Sequence, residues 1–299
     1  YIICDKTTNE YLFPMIEITE NLKKEIKRSV KVAIEEDVGE KDLTCSLIED
    51  IDVSAKIISR EDMILSGQAW AKEVYKQIDP EIHTQWHFDD GDLVNKDTVI
   101  SEIHGRRNTI LTGERCVLNF LQILSSTATQ TKNFVEKIKN SKCKVLDTRK
   151  TLPGLRLAQK YAVRCGGGVN HRFGLYDSVL LKENHLAGKT DIPKLILSAK
   201  RLYPDTEVIV EVESIDELKI VLSTEANRAL LDNFSIDELR TAYELKLKSH
   251  NQNILLEASG NITNKNIREI AGTGIDFVSV GALTKNIEAI DLTLLINPI

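Results

Sequence analysis

From about residue 144 onward, short β-branched runs alternate with amphipathic stretches. KVLDT (144–148), SVLLK (178–182), EVIVEV (207–212), RALLD (228–232), NILLEAS (253–259) and DFVSV (276–280) are each followed by a segment with helical spacing. Runs that are apolar on both faces belong inside a parallel sheet, and a βα unit every 20 to 35 residues is the rhythm of a parallel barrel. Six such units fall short of the eight that close a standard barrel. Before about residue 110 the pattern changes. A helix is expected near 20–36, followed by DVGEKDLT, strand-like segments around VSAKIISR and MILSGQAW, and a turn at DDGD (89–92). This reads as a separate α+β domain. The stretch from Thr112 to Asn140 is strongly helical and links the two parts; with no low-complexity linker, they should pack tightly.

Composition narrows the class. A chain of 299 residues with 42% hydrophobic and 28% charged positions suits a packed globular protein and excludes a disordered or fibrous one. No apolar run reaches bilayer length and the start, YIICDKTTNE, lacks the flanks of a signal peptide, so a cytoplasmic protein is expected. Cys4, Cys45, Cys116, Cys143 and Cys165 are scattered and form no CxxC pair, which points to reduced thiols rather than a disulfide framework or a zinc site. A net charge of -6 disfavours nucleic acid as a partner. Yet residues 142–185 hold nine Lys or Arg against three acids. Lys142, Lys144 and Lys160 read as a solvated face, whereas Arg149, Lys150, Arg172 and Lys182 call for another explanation.

That explanation lies at the strand ends. In βα barrels, side chains at the carboxyl ends of the strands converge on one mouth, where active sites are built. The six ends are Asp147-Thr148-Arg149-Lys150, Lys182-Glu183-Asn184-His185, Glu211-Val212-Glu213, Asp232-Asn233, Glu257-Ala258-Ser259-Gly260 and Gly281-Ala282-Leu283-Thr284. Any one of them could be an ordinary exit to solvent. All six together imply a highly charged ligand, because charge clustered at a mouth is costly unless paired or neutralised. The signs are segregated: cations lie on the first two strands and the loop Asn170-His171-Arg172, and the carboxylates Glu211 and Asp232 follow. This suits a multiply anionic ligand on one side and a magnesium-bearing one on the other.

DTRKTLPGLR (147–156), GGGVNHRFGLYD (166–177), LLKENH (180–185), VEVE (210–213), LLDN (230–233), EASGN (257–261) and VGALT (280–284) together resemble the quinolinate phosphoribosyltransferases, carboxylating nicotinate-nucleotide pyrophosphorylases, from about Ala33 to Leu295. The resemblance implies an α/β fold, an incomplete TIM-like α/β barrel with an N-terminal α+β sandwich domain. The boundaries expected are 1–125 for the sandwich with its helical connector and 126–299 for the barrel, with the C-terminal tail free to return to the first domain. It implies a homodimer with shared active sites, or a higher oligomer built from it. By motif, Arg149, His171, Arg172 and Lys182 would hold quinolinate, with Arg115 of the GER motif reaching in from the other subunit. Lys150 would meet phosphate or pyrophosphate, Glu211 and Asp232 the ribose hydroxyls and Mg2+, and Ser259, Gly260, Gly281 and Lys285 the 5-phosphate. Some positions depart from the pattern. Asn261 stands where many members have glycine, Lys285 where some have histidine and Lys41 where glycine is common; Arg60 matches a second inter-subunit arginine less closely.

The implied reaction is transfer of phosphoribose from phosphoribosyl pyrophosphate to quinolinate with decarboxylation, giving nicotinate mononucleotide, pyrophosphate and CO2 for NAD biosynthesis. Two other readings stand beside it. A related pyrophosphorylase-like protein could use another substrate, and a phosphosugar lyase could use Lys150 or Lys182 as a Schiff-base nucleophile, which borohydride trapping would reveal.

Overall fold

The computed structural model describes residues 17–182 and 191–298 of the chain, so Glu183, Asn184 and His185 of LLKENH lie outside the described residues. The first helix, α1 (Glu20–Val38), starts where the Thr19 hydroxyl accepts the Leu22 amide, a side-chain cap for an otherwise orphan donor. β1 (Asp52–Ser59) buries every second residue, Val53, Ala55 and Ile57 among them. β2 (Met63–Ile64), α2 (Gln68–Ile78), β3 (His83–Trp86), β4 (Leu93–Val94) and β5 (Thr98–Arg106) complete the first unit. The segment MILSGQAW, expected to be strand-like, is strand only over β2. Gly67 adopts φ +115°, and the Asp90 carboxylate accepts the amides of Gly67 and Gln68, so the chain turns into α2 at that point.

α3 (Arg107–Ile138) begins five residues before the expected start at Thr112 and spans 32 residues. Beyond it come β6 (Lys144–Leu146), α4 (Arg156–Cys165), β7 (Ser178–Leu181), α5 (Ile192–Leu202), β8 (Glu207–Val212), α6 (Ile215–Leu222) and β9 (Arg228–Asp232). α7 (Ile236–Lys248), β10 (Leu255–Ser259), α8 (Ile267–Ala271), β11 (Phe277–Ser279), α9 (Ala282–Lys285) and β12 (Leu292–Pro298) end the chain. The Ser235 hydroxyl and Glu238 form a reciprocal capping box at the start of α7, the kind of local signal that fixes where a βα unit turns.

Two sheets organise these elements. An antiparallel sheet runs β12-β1-β5-β3, and a parallel sheet runs β6-β11-β10-β9-β8-β7. Among the described residues the parallel sheet is not a closed barrel, because β6 and β7 are its two edges. At the β6 edge the chain lays down one further pairing: Val169 donates to Val145 O at 2.8 Å and accepts from the Asp147 amide at 3.2 Å. The loop 166–172 therefore covers the edge of β6 and satisfies backbone groups that an open sheet would leave unpaired.

α3 belongs to both cores. Its residues Ile110, Val117, Leu121, Leu124 and Ala128 pack with Trp70, Val74 and Tyr75 of α2 over the antiparallel sheet, and Phe134 and Ile138 pack with the parallel strands. The change of core lies between Ala128 and Phe134, inside one continuous helix.

β12 returns across the molecule to pair antiparallel with β1, from Ser59 opposite Leu292 to Val53 opposite Pro298. Its Leu292, Leu294 and Ile296 alternate onto the sandwich core, while Leu295 is exposed. Leu292 is buried, so Leu292→Ala should cost about 2 to 4 kcal/mol, read by urea unfolding, whereas Leu295→Ala should change stability by less than about 0.5 kcal/mol. Equal losses would mean that the alternation does not set the core face.

Candidate active site at the open mouth

Each strand of the parallel sheet delivers its last residues to the same end, and the register fixes who meets whom. Ser259 on β10 is opposite Asp232 on β9, and Glu211 on β8 is opposite Leu230 on β9. Past β9, Asn233 takes the left-handed conformation at φ +58° and its amide donates to Ser259 O at 2.9 Å. Gly260 sits against it at φ +92°; a Cβ there would fall 2.1 Å from Asn233 Oδ1. A side chain at Gly260 would thus force apart the two strand ends at the point where the chain must turn. Asn261, at φ +51°, replaces glycine in a conformation that asparagine tolerates, and its amide group donates to Asn233 Oδ1 at 3.3 Å.

Next to these ends, Gly281 leads into α9, and Lys150 and Thr148 flank it closely. The Thr284 hydroxyl donates to Lys150 O at 2.8 Å, and the Gln159 amide group donates to Thr284 O at 2.8 Å. These bonds hold the loop after β6 against α9, leaving Lys150 and Lys285 exposed.

Below the loop lies a buried charge network. Asp147 and Lys160 are both fully buried and directly bonded. Lys160 also donates to His171 O at 2.8 Å, while Asp147 accepts the His171 amide at 2.9 Å and the Asn170 side-chain amide at 2.6 Å. Burial pushes the Asp147 carboxyl up and the Lys160 ammonium down, so each depends on the other and on the loop's donors to stay charged. The expectation that Lys160 lies on a solvated face is therefore corrected. Its helix, α4, is buried from Ala158 to Val163, packed against α3, α1 and α9. One signal in the sequence pointed that way: the residues four before and four after Lys160 are Arg156 and Arg164, a poor setting for an exposed lysine.

The network presents Asn170, His171 and Arg172 as a fixed run. His171 Nδ1 accepts the Arg172 amide at 2.7 Å and its Nε2 faces Glu257 Oε2 at 3.4 Å. Arg172 donates to Ser178 O at 3.2 Å. Arg149 is close enough to repel it: burial lowers the Arg172 pKa first, Arg149 adds to this, and Asp177 and Glu211 oppose. Arg149 Nε is buried with no hydrogen-bond partner among the described residues. Two half-buried guanidiniums side by side, one with an orphan donor, form a site for an anion. Arg156 braces them by donating to Phe173 O and Arg149 O.

Across the mouth, Lys182 donates to Glu211 at 2.5 Å, and Asp232 accepts from the neighbouring Asn233. Of the two remaining arginines, Arg60 bonds Asp97 at 3.0 Å and Thr293 within the sandwich unit. Arg115 is exposed on α3, without a side-chain hydrogen bond or ion pair among the described residues. Among the described residues, neither bonds the strand-end cluster of its own chain.

Sequence reasoning took Lys160 for a solvated residue and counted Glu257 among the polar strand ends, without pairing Glu257 with Arg228. Arg228 opens β9 and Glu257 lies inside β10, both within runs that otherwise read as core. The charges interrupting those apolar runs were the available signal.

An open parallel barrel whose mouth sets a cation cluster beside carboxylates defines a barrel enzyme for anionic substrates. The chain belongs to the quinolinate phosphoribosyltransferase family: residues 42–125 match that family's N-terminal domain and residues 127–295 its C-terminal domain. It is similar to a probable carboxylating nicotinate-nucleotide pyrophosphorylase of Bacillus subtilis, with 37% identity over 87% of this chain and 89% of the relative. It is 35% identical to the chloroplastic carboxylating nicotinate-nucleotide pyrophosphorylase of Arabidopsis thaliana, over 91% of this chain and 83% of that one. Among solved structures, the nicotinate-nucleotide pyrophosphorylase of Francisella tularensis superposes with a TM-score of 0.90 at 45% identity, covering 95% of this chain and 99% of that one.

Removing the Lys160 ammonium strands a buried carboxylate. Lys160→Met should cost about 3 to 5 kcal/mol in urea unfolding, whereas Lys142→Met and Lys144→Met, at exposed positions, should stay within about 0.5 kcal/mol. Similar small effects at all three would return Lys160 to the surface.

Proposed function

We propose that this chain joins quinolinate to phosphoribosyl pyrophosphate, releasing pyrophosphate and CO2 and forming nicotinate mononucleotide for NAD biosynthesis. The observation that carries the reading is the Arg149 and Arg172 pair, whose half-buried charges and orphan Nε match a ligand with more than one carboxylate. Family membership supplies the reaction class.

In this reading Arg149 and Arg172 clamp the pyridine dicarboxylate and aim its ring nitrogen at the ribose carbon, with Lys182 and the partner copy's Arg115 completing the clamp. The nitrogen lone pair forms the new C–N bond as the C–O bond to pyrophosphate breaks. Lys150 meets the departing polyanion, and Ser259, Gly260, Gly281 and Lys285 hold the 5-phosphate. The pyridinium so formed accepts the electron pair left as the adjacent carboxylate departs as CO2, and the ring carbon then takes a proton from solvent. No organic cofactor is called on.

Glu211 and Asp232 supply hard oxygen donors on adjacent strands, the type magnesium prefers. Among the described residues no three His, Cys, Asp or Glu side chains cluster as a metal cage. The donor set therefore fits a Mg2+ that arrives on the pyrophosphate, keeping several waters. When bound, Mg2+ neutralises charge on the leaving group.

A Schiff-base lyase would need an isolated, desolvated amine. Lys182 is instead held against Glu211. Among the described residues no helix is long and apolar enough to cross a membrane, which is consistent with a cytoplasmic place for the reaction.

Two outcomes test the proposal. With phosphoribosyl pyrophosphate and Mg2+, quinolinate should turn over far faster than nicotinate, and a chelator should abolish the reaction. Arg172→Ala should mainly raise KM for quinolinate and Asp232→Ala mainly that for phosphoribosyl pyrophosphate, each by about 2 to 5 kcal/mol. Equal rates with nicotinate, or the reverse assignment of the two variants, would overturn it.

The homodimer is tested by complementation. Arg115→Ala and Lys182→Ala should each be nearly inactive. Unfolded and refolded together, they should form about half mixed dimers, each with one intact site, and recover about a quarter of wild-type activity. Mixed dimers that form without activity would place Arg115 within its own chain's site.

A further inference from the structure

A chain of charged side chains runs inward from the mouth. His171 Nε2 faces Glu257 Oε2 at 3.4 Å, Glu257 Oε2 accepts from Arg228 at 3.0 Å, and Arg228 donates twice to Glu207 Oε1, at 2.9 and 2.6 Å. Glu257 is completely buried and Arg228 lies over the Phe277 ring, 4.7 Å from its centroid. The simplest account makes Glu257 the counterion of Arg228, but Glu207 already fills that role with two bonds. Where a counterion is redundant, an apolar side chain is the better occupant of a barrel interior. The Ser279 hydroxyl also acts on the Glu257 carboxylate, whose second oxygen, Oε1, has no close hydrogen-bond partner among the described residues.

The hydrogen-bond chemistry of His171 supplies the reason. A backbone amide only donates, so the Arg172 N–H at 2.7 Å requires a bare lone pair on Nδ1. The ring proton must then sit on Nε2, which has the Glu257 carboxylate 3.4 Å away. The geometry points to Glu257, steadied by Arg228, as a positioning residue that fixes the tautomer and ring plane of His171 and, through Nδ1, the backbone position of Arg172. Without an acceptor beside Nε2, the proton can move to Nδ1. There it meets the Arg172 amide donor against donor, and the end of the loop that carries the guanidinium is released. Asp147 and Lys160 hold the same loop from below through the His171 amide and carbonyl; Glu257 acts on the ring itself. Burial pushes the Glu257 carboxyl up, but His171 and Arg228 outweigh it and leave it below the ordinary glutamate value, so the acceptor stays ionised at neutral pH.

The inference rests on the proposed quinolinate reaction only for its kinetic readout. The first experiment is nitrogen NMR on protein labelled with 15N-histidine, with His171→Asn used to assign the signal among the six histidines. Wild type should show His171 as a single Nε2–H tautomer at neutral pH. Glu257→Leu leaves Arg228 paired with Glu207 and should show a mixture containing Nδ1–H. Its KM for quinolinate should rise about 10- to 100-fold, with KM for phosphoribosyl pyrophosphate within about twofold. Glu257→Gln keeps an acceptor oxygen at the same place and should restore the single tautomer and most of the quinolinate affinity. A wild-type His171 carrying its proton on Nδ1, or doubly protonated, would overturn the assignment whatever the variants do. So would a wild-type tautomer in Glu257→Leu, or equal changes in both KM values, which would mark a general structural loss. Should wild type fail to use quinolinate, the functional reading falls while the NMR result still decides the role of Glu257.

Discussion

A buried carboxylate has to be surrounded by donors, and Asp147 at the end of β6 meets that demand by gathering the chain around it. Lys160 comes from α4, and Asn170 and the His171 amide come from the loop that covers the open edge of the sheet. Had the parallel sheet closed, a neighbouring strand would occupy this edge. Because it stays open, a loop can lie there, and the loop's last residues are the ones that face the mouth. The network thus turns an incomplete barrel into a rigid one at the point where rigidity serves recognition.

The same logic recurs where the sandwich meets the barrel. Asp90, in the DDGD turn, accepts two amides at the start of α2 and also the hydroxyl of Tyr161 from α4 at 2.8 Å. Burial pushes its carboxyl up, and those three donors oppose that effect. One side of α4 is therefore pinned to the sandwich by Tyr161 and the other to the mouth by Lys160, so the first unit helps set the position of a helix that holds the loop.

Much of this was readable in the sequence, and the reasons differ from element to element. The βα rhythm was legible because parallel strands are apolar on both faces and stand out against amphipathic helices; β8 and β9 fall where those runs predict. The strand ends 147–150, 211–213 and 232–233 were legible because polar residues close each run. β2 was overextended because Gly67 and the distant Asp90, twenty-three residues on, end the strand together, and neither is visible in a local window. Lys160 was misread for the same reason: its partner lies thirteen residues away on another element, and nothing local to the helix distinguishes a buried lysine from a solvated one except the absence of an acid one turn off. Glu257 was counted as a strand end, but its pairing with Arg228 was hidden, since the two lie on neighbouring strands twenty-nine residues apart.

α3 carries a consequence of another kind. One uninterrupted helix of 32 residues lends its first half to one core and its end to the other. Melting either unit would strip the helix from its neighbour, so the free energies of the two are not separable and native-state hydrogen exchange would have no low-energy opening confined to one of them. Over evolutionary time the same rod works against recombination: neither half can be exchanged for a foreign domain without cutting through the interior of both.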